Sequence, residues 1–272
     1  HFCNDLVYKV HPYRWPTIGL SVDDIKNASH EDIKSFFAQH YAVNNLILCV
    51  SGHIEFEKAV ALTEKWFGDF APANIPVRNL PQEPVQTEQR FMSVKREVPQ
   101  NVLTMMYHMC GRCDADYQVC DMLSDVLSNG MSSRFYRNVL VKSGLFTELD
   151  ASVSGTYDPG LFIVRARLAD GVSFDKAKDA IDAELADFVS NGATAYEIEK
   201  CANKYESTRL FDMITYEKKG VKLCQYELLG DAADINKEVG KYRCITQDRL
   251  MNVAKNLLNP DNCSILYYGP DA

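Results

Sequence analysis

The fold of this chain is decided by a pattern that it contains twice, as Ser29-His-Glu-Asp-Ile-Lys-Ser-Phe-Phe-Ala-Gln-His-Tyr-Ala-Val-Asn-Asn45 and as Thr246-Gln-Asp-Arg-Leu-Met-Asn-Val-Ala-Lys-Asn-Leu-Leu-Asn-Pro-Asp-Asn262. A constant offset of 217 residues relates the two copies at their start (246 − 29) and at their end (262 − 45). The same offset relates Gly52 to Gly269. A match of this length without a gap indicates an internal duplication.

Each copy predicts a helix, a turn and a strand. A hydroxyl residue followed by acidic residues is typical of a helix N-terminus, and apolar residues at helical spacing follow it. These apolar residues are Ile33, Phe36, Phe37 and Tyr41 in the first copy, and Leu250, Val253, Ala254 and Leu258 in the second. A turn with Asn or Asp comes next, and then a β-rich run, Leu46–Val50 or Cys263–Tyr267, that leads to the glycine. We interpret each unit as the end of its own domain.

The repeat predicts two related domains, of which the first is truncated. Residues 1–71 form the C-terminal part of a first, catalytic-type domain, residues 72–87 a proline-rich linker, and residues 88–272 a complete second domain. Thr246 lies 158 residues after Glu88, whereas Ser29 lies 29 residues into the chain, so about 130 residues would be missing from the first domain (158 − 29). Strands followed by helices and a closing strand predict an α+β fold, a mostly antiparallel sheet with helices packed on one face.

Composition excludes several classes of function. A net charge of −8 and a pI near 5.3 disfavour nucleic-acid binding, and no apolar run approaches the ~18 residues that a membrane span needs. Nine cysteines are an odd number and lie mostly within apolar patterns, as Cys49, Cys120 and Cys201 do. Free thiols in a reducing compartment are therefore expected, and we expect a cytoplasmic location.

No catalytic, cofactor-binding or metal-ligating residue is predicted in this chain. None of the six histidines has a second histidine three or four residues away, as a zinc-hydrolase helix requires. Cys110-Gly-Arg-Cys113, preceded by His108, has metal-site or redox spacing. A fourth ligand and a thioredoxin-like context are both missing, which favours a strand end that passes through a glycine turn into a helix.

Several motifs in order resemble the pitrilysin/insulinase family of zinc metallopeptidases, which includes the mitochondrial processing peptidases. His11-Pro-Tyr-x-Trp-Pro-x-Ile-Gly19 resembles the loop that follows the family's catalytic region, and Phe37 to Phe70 resembles the end of its first domain. Three further motifs and Gly144-Leu145 resemble the start of its second, non-catalytic domain: Gly111-Arg-x-Asp-x-Asp-Tyr117, Leu123-Ser-x-x-Leu127 and Ser132-Ser-Arg-Phe-Tyr-Arg137. The family's domain duplication agrees with the internal repeat.

This resemblance implies a zinc endopeptidase of peptides that encloses its substrate between two halves. In the family, His-x-x-Glu-His lies upstream of the His-Pro-Tyr loop, so no zinc ligand transfers to this chain and zinc is expected in the parent protein. Many members carry an Arg four residues before the Gly-Leu pair and a Tyr three residues after that Gly, which help to hold substrate. Leu140 and Thr147 replace them here, and Lys142 is out of register.

Two functions follow as alternatives. The chain is the remainder of a zinc endopeptidase, inactive alone, which forms part of the substrate chamber and a subunit interface. Alternatively, it is a non-catalytic structural or regulatory subunit of a processing-peptidase-like complex. A homo- or hetero-oligomer is expected in both cases. Truncation of the first domain should leave the strand at Leu46–Ser51 unpaired and expose Phe36, Phe37 and Phe67, so we also expect self-association.

Overall fold

The computed structural model describes residues 1–272. The helices are α1 Phe2–Val7, α2 Val22–Asn27, α3 His30–His40, α4 Phe56–Phe67, α5 Tyr117–Ser128, α6 Val141–Ser143, α7 Phe174–Asn191, α8 Ala195–Asp212, α9 Tyr216–Leu229, α10 Glu238–Arg243 and α11 Gln247–Leu257. The strands are β1 Arg90–Lys95, β2 Val102–Met109, β3 Phe146–Val153, β4 Gly160–Leu168 and β5 Cys263–Gly269. The sequence pattern predicts a helix from Ser132 to Lys142, and the structure has a π-helical segment there, Phe135–Leu140, followed by α6. The sequence did not predict α1 or α10.

Contacts between residues group the chain into two compact units. Unit 1 comprises His1–Arg14, Gln82–Glu206 and Val239–Ala272, and unit 2 comprises Trp15–Pro81 and Ser207–Glu238. These units differ from the division at residues 71 and 88 in two places. Residues 1–14 group with the strands that follow residue 88, and residues 207–238 group with the first copy of the repeat. The predicted division at residues 71 and 88 is based on the internal repeat and not on contacts between residues. It therefore stays a prediction.

Unit 1 contains a five-stranded sheet in the order β1-β5-β2-β4-β3. Only β1 and β5 pair in parallel, and the other neighbours are antiparallel. The sequence predicts a hairpin turn at Tyr157-Asp-Pro-Gly160, because Pro and Gly are typical turn residues. This prediction is confirmed, since these residues lie where the chain passes from β3 to the antiparallel β4. The predicted α+β fold with a mostly antiparallel sheet is therefore confirmed.

Alternating side chains of β2 divide between the two faces of this sheet, because successive residues in a strand point to opposite sides. Leu103, Met105 and Tyr107 join the main core, to which α5, α7 and α11 contribute. Met106 points to the other face and packs in a second cluster with Val7 of α1. Each fully buried side chain of this size contributes about 1.5–3 kcal/mol through removal of apolar surface from water. The main helices thus cover one face, and the N-terminal segment covers the other.

The two copies of the repeat fold alike within their own units. The offset of 217 takes the first and last residues of α3 to those of α11 (247 − 30, 257 − 40). Ser29 Oγ accepts a hydrogen bond from the backbone N of Asp32, and Thr246 Oγ1 accepts the equivalent bond from Arg249. A 3₁₀ turn follows in each copy, Val43–Asn45 in the first and Pro260–Asn262 in the second. The predicted helix and turn are therefore confirmed in both copies.

The same side-chain hydrogen bond closes both turns. Asn45 Nδ2 donates to the carbonyl of His40 at 2.8 Å, and Asn262 Nδ2 donates to the carbonyl of Leu257 at 2.9 Å. Asn262 also donates to the carbonyl of His108 on β2 at 3.0 Å, which ties the turn to the neighbouring strand. Both copies share the local bond, and only the second copy has this bond to a strand.

The predicted strand Leu46–Ser51 is wrong. Its counterpart, β5, is hydrogen-bonded to β1 on one edge and to β2 on the other, whereas residues 46–51 pair with no strand. Leu46 keeps an extended backbone, with φ −118° and ψ 142°. A strand is defined by its partner, so an extended segment with β-forming side chains remains irregular when neither edge is occupied.

Candidate functional site

The predicted metal or redox spacing at Cys110 and Cys113 does not form a metal site. Among residues 1–272, the structure brings no three His, Cys, Asp or Glu side chains together in a way that could hold an ion. β2 ends at Met109, a turn follows and α5 begins at Tyr117, as the strand-to-helix interpretation predicted. The Cys110 thiol contacts that of Cys120, and the hydrogen bond from Cys120 lowers the pKa of Cys110. The residues present do not fit a zinc ion.

Leu140 and Thr147, which stand where the resemblance places an Arg and a Tyr, lie on two different elements. Leu140 ends the π-helical segment and packs half-buried against the main core. Thr147 is exposed in β3, at a shift of register between Phe146 and Glu148, and its hydroxyl donates to the carbonyl of Arg167 at 3.5 Å. Neither side chain carries a positive charge or a phenol. That they replace a substrate-holding pair stays a prediction.

Arg134, within the Ser132-Ser-Arg motif, forms hydrogen bonds to residues on both sides of the connection between α7 and α8. Its guanidinium donates to the Glu197 carboxylate at 2.8 and 3.0 Å and to the carbonyl of Gly192 at 2.6 Å. The guanidinium carbon also lies 4.9 Å from the centre of the Phe188 ring. The backbone N of Thr194 donates to the same carboxylate at 2.7 Å, and Thr194-x-x-Glu197 is a capping box visible in the sequence. The motif therefore holds two helices together.

The lowered pKa of Glu197 predicts that the free energy of unfolding depends on pH in the acidic range. Burial opposes its ionisation, but the hydrogen bonds from Arg134 and Thr194 outweigh burial and lower the pKa of Glu197 from 4.5 to about 2. Because the pKa of Glu197 is lower in the folded chain than in the unfolded chain, its stabilisation is fully present above pH 4.5. The stabilisation is lost as the pH falls toward about 2. Glu197→Gln should therefore lower the free energy of unfolding at neutral pH, and the difference from the unsubstituted chain should shrink across that range.

Urea unfolding of both chains at a series of pH values measures this difference. Glu199→Gln, at an exposed position on the same helix, is the matched control and should change little. A difference between Glu197→Gln and the unsubstituted chain that stays constant down to pH 2 would show that the ionised carboxylate does not contribute.

An open face in unit 2 is the candidate functional site. We define it as the exposed apolar side chains of α3, of its C-cap residue and of the extended segment: Ile33, Phe36, Phe37, Tyr41, Leu46, Leu48 and Val50. The predicted exposure of Phe36, Phe37 and Phe67 is confirmed, at 57%, 59% and 43%. A contiguous apolar patch of this kind usually marks an interaction surface.

The repeat supplies an internal reference for this face. Ile33 is 60% exposed and its counterpart Leu250 is 0% exposed. Phe37 is 59% exposed against 0% for Ala254, and Tyr41 is 57% exposed against 9% for Leu258. In unit 1 these positions of α11 pack in the main core beside β5. Equivalent positions of the two copies are therefore buried in unit 1, beside a sheet, and exposed in unit 2, where the extended segment pairs with no strand.

An open groove of about 690 Å³ lies between the extended segment and α9, also within unit 2. Residues 45–49 and Ser51 form one wall, and α9 forms the other with Tyr216, Gly220, Val221 and Leu228 among its lining residues. Cys49 and Cys224 also line the groove. The groove is mostly apolar and contains no group of metal ligands.

Comparison with known proteins identifies the family. Residues 27–205 match the family model described as the peptidase M16 inactive domain. The chain therefore belongs to the peptidase M16 inactive-domain family, and the resemblance to pitrilysin-like zinc peptidases is confirmed.

Relatives named as zinc proteases agree with this assignment. The zinc protease PqqE of Helicobacter pylori is 27% identical over 198 residues, which cover 71% of this chain and 44% of that protein. The chain spans about half the length of the curated relatives it matches. Their names associate zinc with whole proteins that are longer than this chain.

Solved structures show the same fold. A protease from Helicobacter pylori superposes with a TM-score of 0.90 at 22% identity, over 97% of this chain and 65% of that chain. The peptidase M16 inactive domain from Pseudomonas fluorescens superposes with a TM-score of 0.86 at 18% identity, over 100% of this chain and 64% of that chain. Separately, no helix in residues 1–272 is long and apolar enough to cross a membrane.

Proposed function

We propose that this chain is the non-catalytic remainder of a zinc-dependent endopeptidase that acts on peptides, and that it is inactive alone. It would contribute a wall of the substrate chamber and, through the open face, an interface with a catalytic-type half. Zinc would be held by that half, because the residues of this chain do not fit a metal site. The nine free thiols support a reducing, cytoplasmic setting as part of the proposal.

One observation supports the proposal most strongly. The apolar side chains on one face of α3 have the spacing of core residues, but they are exposed in unit 2. In α11 the same positions are buried beside a five-stranded sheet. Exposure of Ile33, Phe37 and Tyr41 to water is unfavourable, so a surface of complementary apolar chemistry should bind there. A sheet-bearing half, in the same polypeptide or in a partner subunit, would supply that surface. A homo- or hetero-oligomer is one form of this arrangement.

The alternative function is that of a non-catalytic structural or regulatory subunit of a processing-peptidase-like complex. The replacement of a charged and a phenolic substrate-holding residue by Leu140 and Thr147 favours it. In this case the open face would bind a separate subunit, and the catalytic residues would belong to that subunit.

Peptide mapping of the native protein and its co-purifying partners by mass spectrometry tests these functions. The first proposal expects His-x-x-Glu-His upstream of His1 in the same polypeptide. The alternative expects the motif in a co-purifying subunit instead. Absence of the motif from both would overturn the peptidase proposal. In a matched assay, the purified chain is expected to cleave no quenched fluorescent peptide, with or without added zinc.

A further inference from the structure

Two cysteine thiols meet across the groove of unit 2. Cys49 lies in the extended segment and Cys224 lies on α9, and the two thiols are within hydrogen-bonding contact of each other. The Cys224 sulfur also lies 4.0 Å from the carbonyl oxygen of Ile47. Both cysteines are half-buried and line the open groove of about 690 Å³, so a small solute can reach both sulfur atoms.

Gly220 allows this approach. It lies one helical turn before Cys224, on the same face of α9. A Cβ placed at Gly220 would lie 3.7 Å from the Cys49 sulfur and 3.5 Å from the Cβ of Ser51. A side chain longer than a methyl group would therefore push the segment off the helix. The absence of a side chain at Gly220 lets the Cys49 sulfur lie against α9, one turn before Cys224.

The other thiol pair in the chain differs in its access to solvent. Cys110 and Cys120 also contact each other, but Cys120 is 2% exposed and belongs to the main core of unit 1. Burial in that core keeps a dissolved oxidant from the Cys120 sulfur. Reactivity of a thiol requires that the attacking or attacked sulfur be reached. The pair at the groove meets this requirement at both sulfurs.

We propose that Cys49 and Cys224 are an oxidative modification site, a dithiol that forms a reversible disulfide by exchange with a low-molecular-weight disulfide. One thiol loses its proton and attacks a sulfur of the small disulfide, whose S–S bond breaks and releases one small thiol. The second thiol loses its proton and attacks the resulting mixed disulfide, which forms the protein S–S bond and releases the second small thiol. The protein loses two electrons and two protons, and the small disulfide gains them.

The bridge would fix the extended segment on α9, beside the groove that Leu46 and Leu48 also line. Burial raises the pKa of the Cys49 thiol and the neighbouring Cys224 raises it further, so the exchange should be faster at alkaline pH. This inference does not depend on the proposed peptidase function, since it concerns two thiols of this chain alone.

Incubation of the full chain with glutathione disulfide tests the proposal. We expect the peptides that carry Cys49 and Cys224 to lose two hydrogens, about 2 Da, and to carry no glutathione, whereas the exposed Cys244 can keep a glutathione adduct. Peptide mapping without reduction should find Cys49 joined to Cys224, and a reductant should restore both thiols.

Single variants locate the site. Cys49→Ser and Cys224→Ser should each trap a mixed disulfide, with one glutathione on the remaining cysteine, because no second thiol is present to release it. Cys244→Ser, at an exposed cysteine, should behave as the unsubstituted chain does. A bridge between Cys110 and Cys120 instead, a stable glutathione adduct on Cys49 or Cys224 of the unsubstituted chain, or unchanged thiols at both positions would each overturn the proposal.

Discussion

Leu250→Ala is expected to lower the free energy of unfolding of unit 1 by about 2–5 kcal/mol. Leu250 is 0% exposed and packs in the main core of that unit. Removal of its side-chain methyl and methine groups loses their burial and leaves a cavity that a packed helix–sheet contact closes only in part. Urea unfolding followed by circular dichroism measures the change, and hydrogen exchange of peptides from unit 1 assigns it to that unit.

The repeat provides the matched control for this substitution. Ile33 occupies the equivalent position in α3 (250 − 33 = 217) but is 60% exposed. Ile33→Ala should therefore change the free energy of unfolding by no more than about 0.5 kcal/mol when the chain is measured at concentrations too low for self-association. Equal losses for the two variants would mean that the α3 stripe is covered within the monomer, which would remove the basis for the open face.

The purified chain is expected to self-associate at micromolar concentration, with a sedimentation mass above its monomer mass of 30.8 kDa. Both edges of the extended segment are unpaired, and the open face presents Phe36, Phe37 and Tyr41 to water. Unpaired backbone groups and contiguous apolar side chains favour contact with a second chain. Sedimentation equilibrium over a range of concentrations measures the mass and the dissociation constant.

Phe37→Asp should weaken this association by at least about tenfold, which corresponds to about 1.4 kcal/mol. Phe37 stacks only on Tyr41 of its own unit, with ring centres 4.7 Å apart, and is already 59% exposed, so the monomer should keep its fold. Tyr196→Asp removes an aromatic side chain that is 73% exposed on α8, and it should leave the association unchanged. A monodisperse monomer for the unsubstituted chain would contradict the expectation, as would equal weakening by both variants.

Local features of the fold could be predicted because short-range chemistry determines them. The N-caps at Ser29 and Thr246, the apolar spacing of α3 and α11, and the hairpin at Tyr157-Asp-Pro-Gly160 depend on residues within a few positions of one another. The π-helical segment Phe135–Leu140 could not be predicted, since its apolar spacing is close to that of an α-helix. The short helix α1 was missed because it is held by the sheet face that it covers.

The ion pair between Arg134 and Glu197 shows that contacts between side chains distant in sequence could not be predicted. The capping box Thr194-x-x-Glu197 is readable in the sequence, whereas the partner that completes it lies 63 residues earlier. The pairing of Cys49 with Cys224 was likewise invisible, because 175 residues separate them (224 − 49) and only the packing of the extended segment on α9 brings their thiols together.

Residue patterns alone predicted a duplicated unit, an α+β domain closed by its second copy, and a resemblance to pitrilysin-like peptidases without a zinc motif in this chain. Whether the end of each copy forms a strand depends on contacts that the residue patterns do not show. Cys263–Gly269 is a central strand because β1 and β2 occupy its edges, and Leu46–Ser51 is not a strand because neither of its edges is occupied. Backbone hydrogen bonds between strands and burial of a helix face both require a partner that is distant in sequence, and local residue patterns cannot supply it.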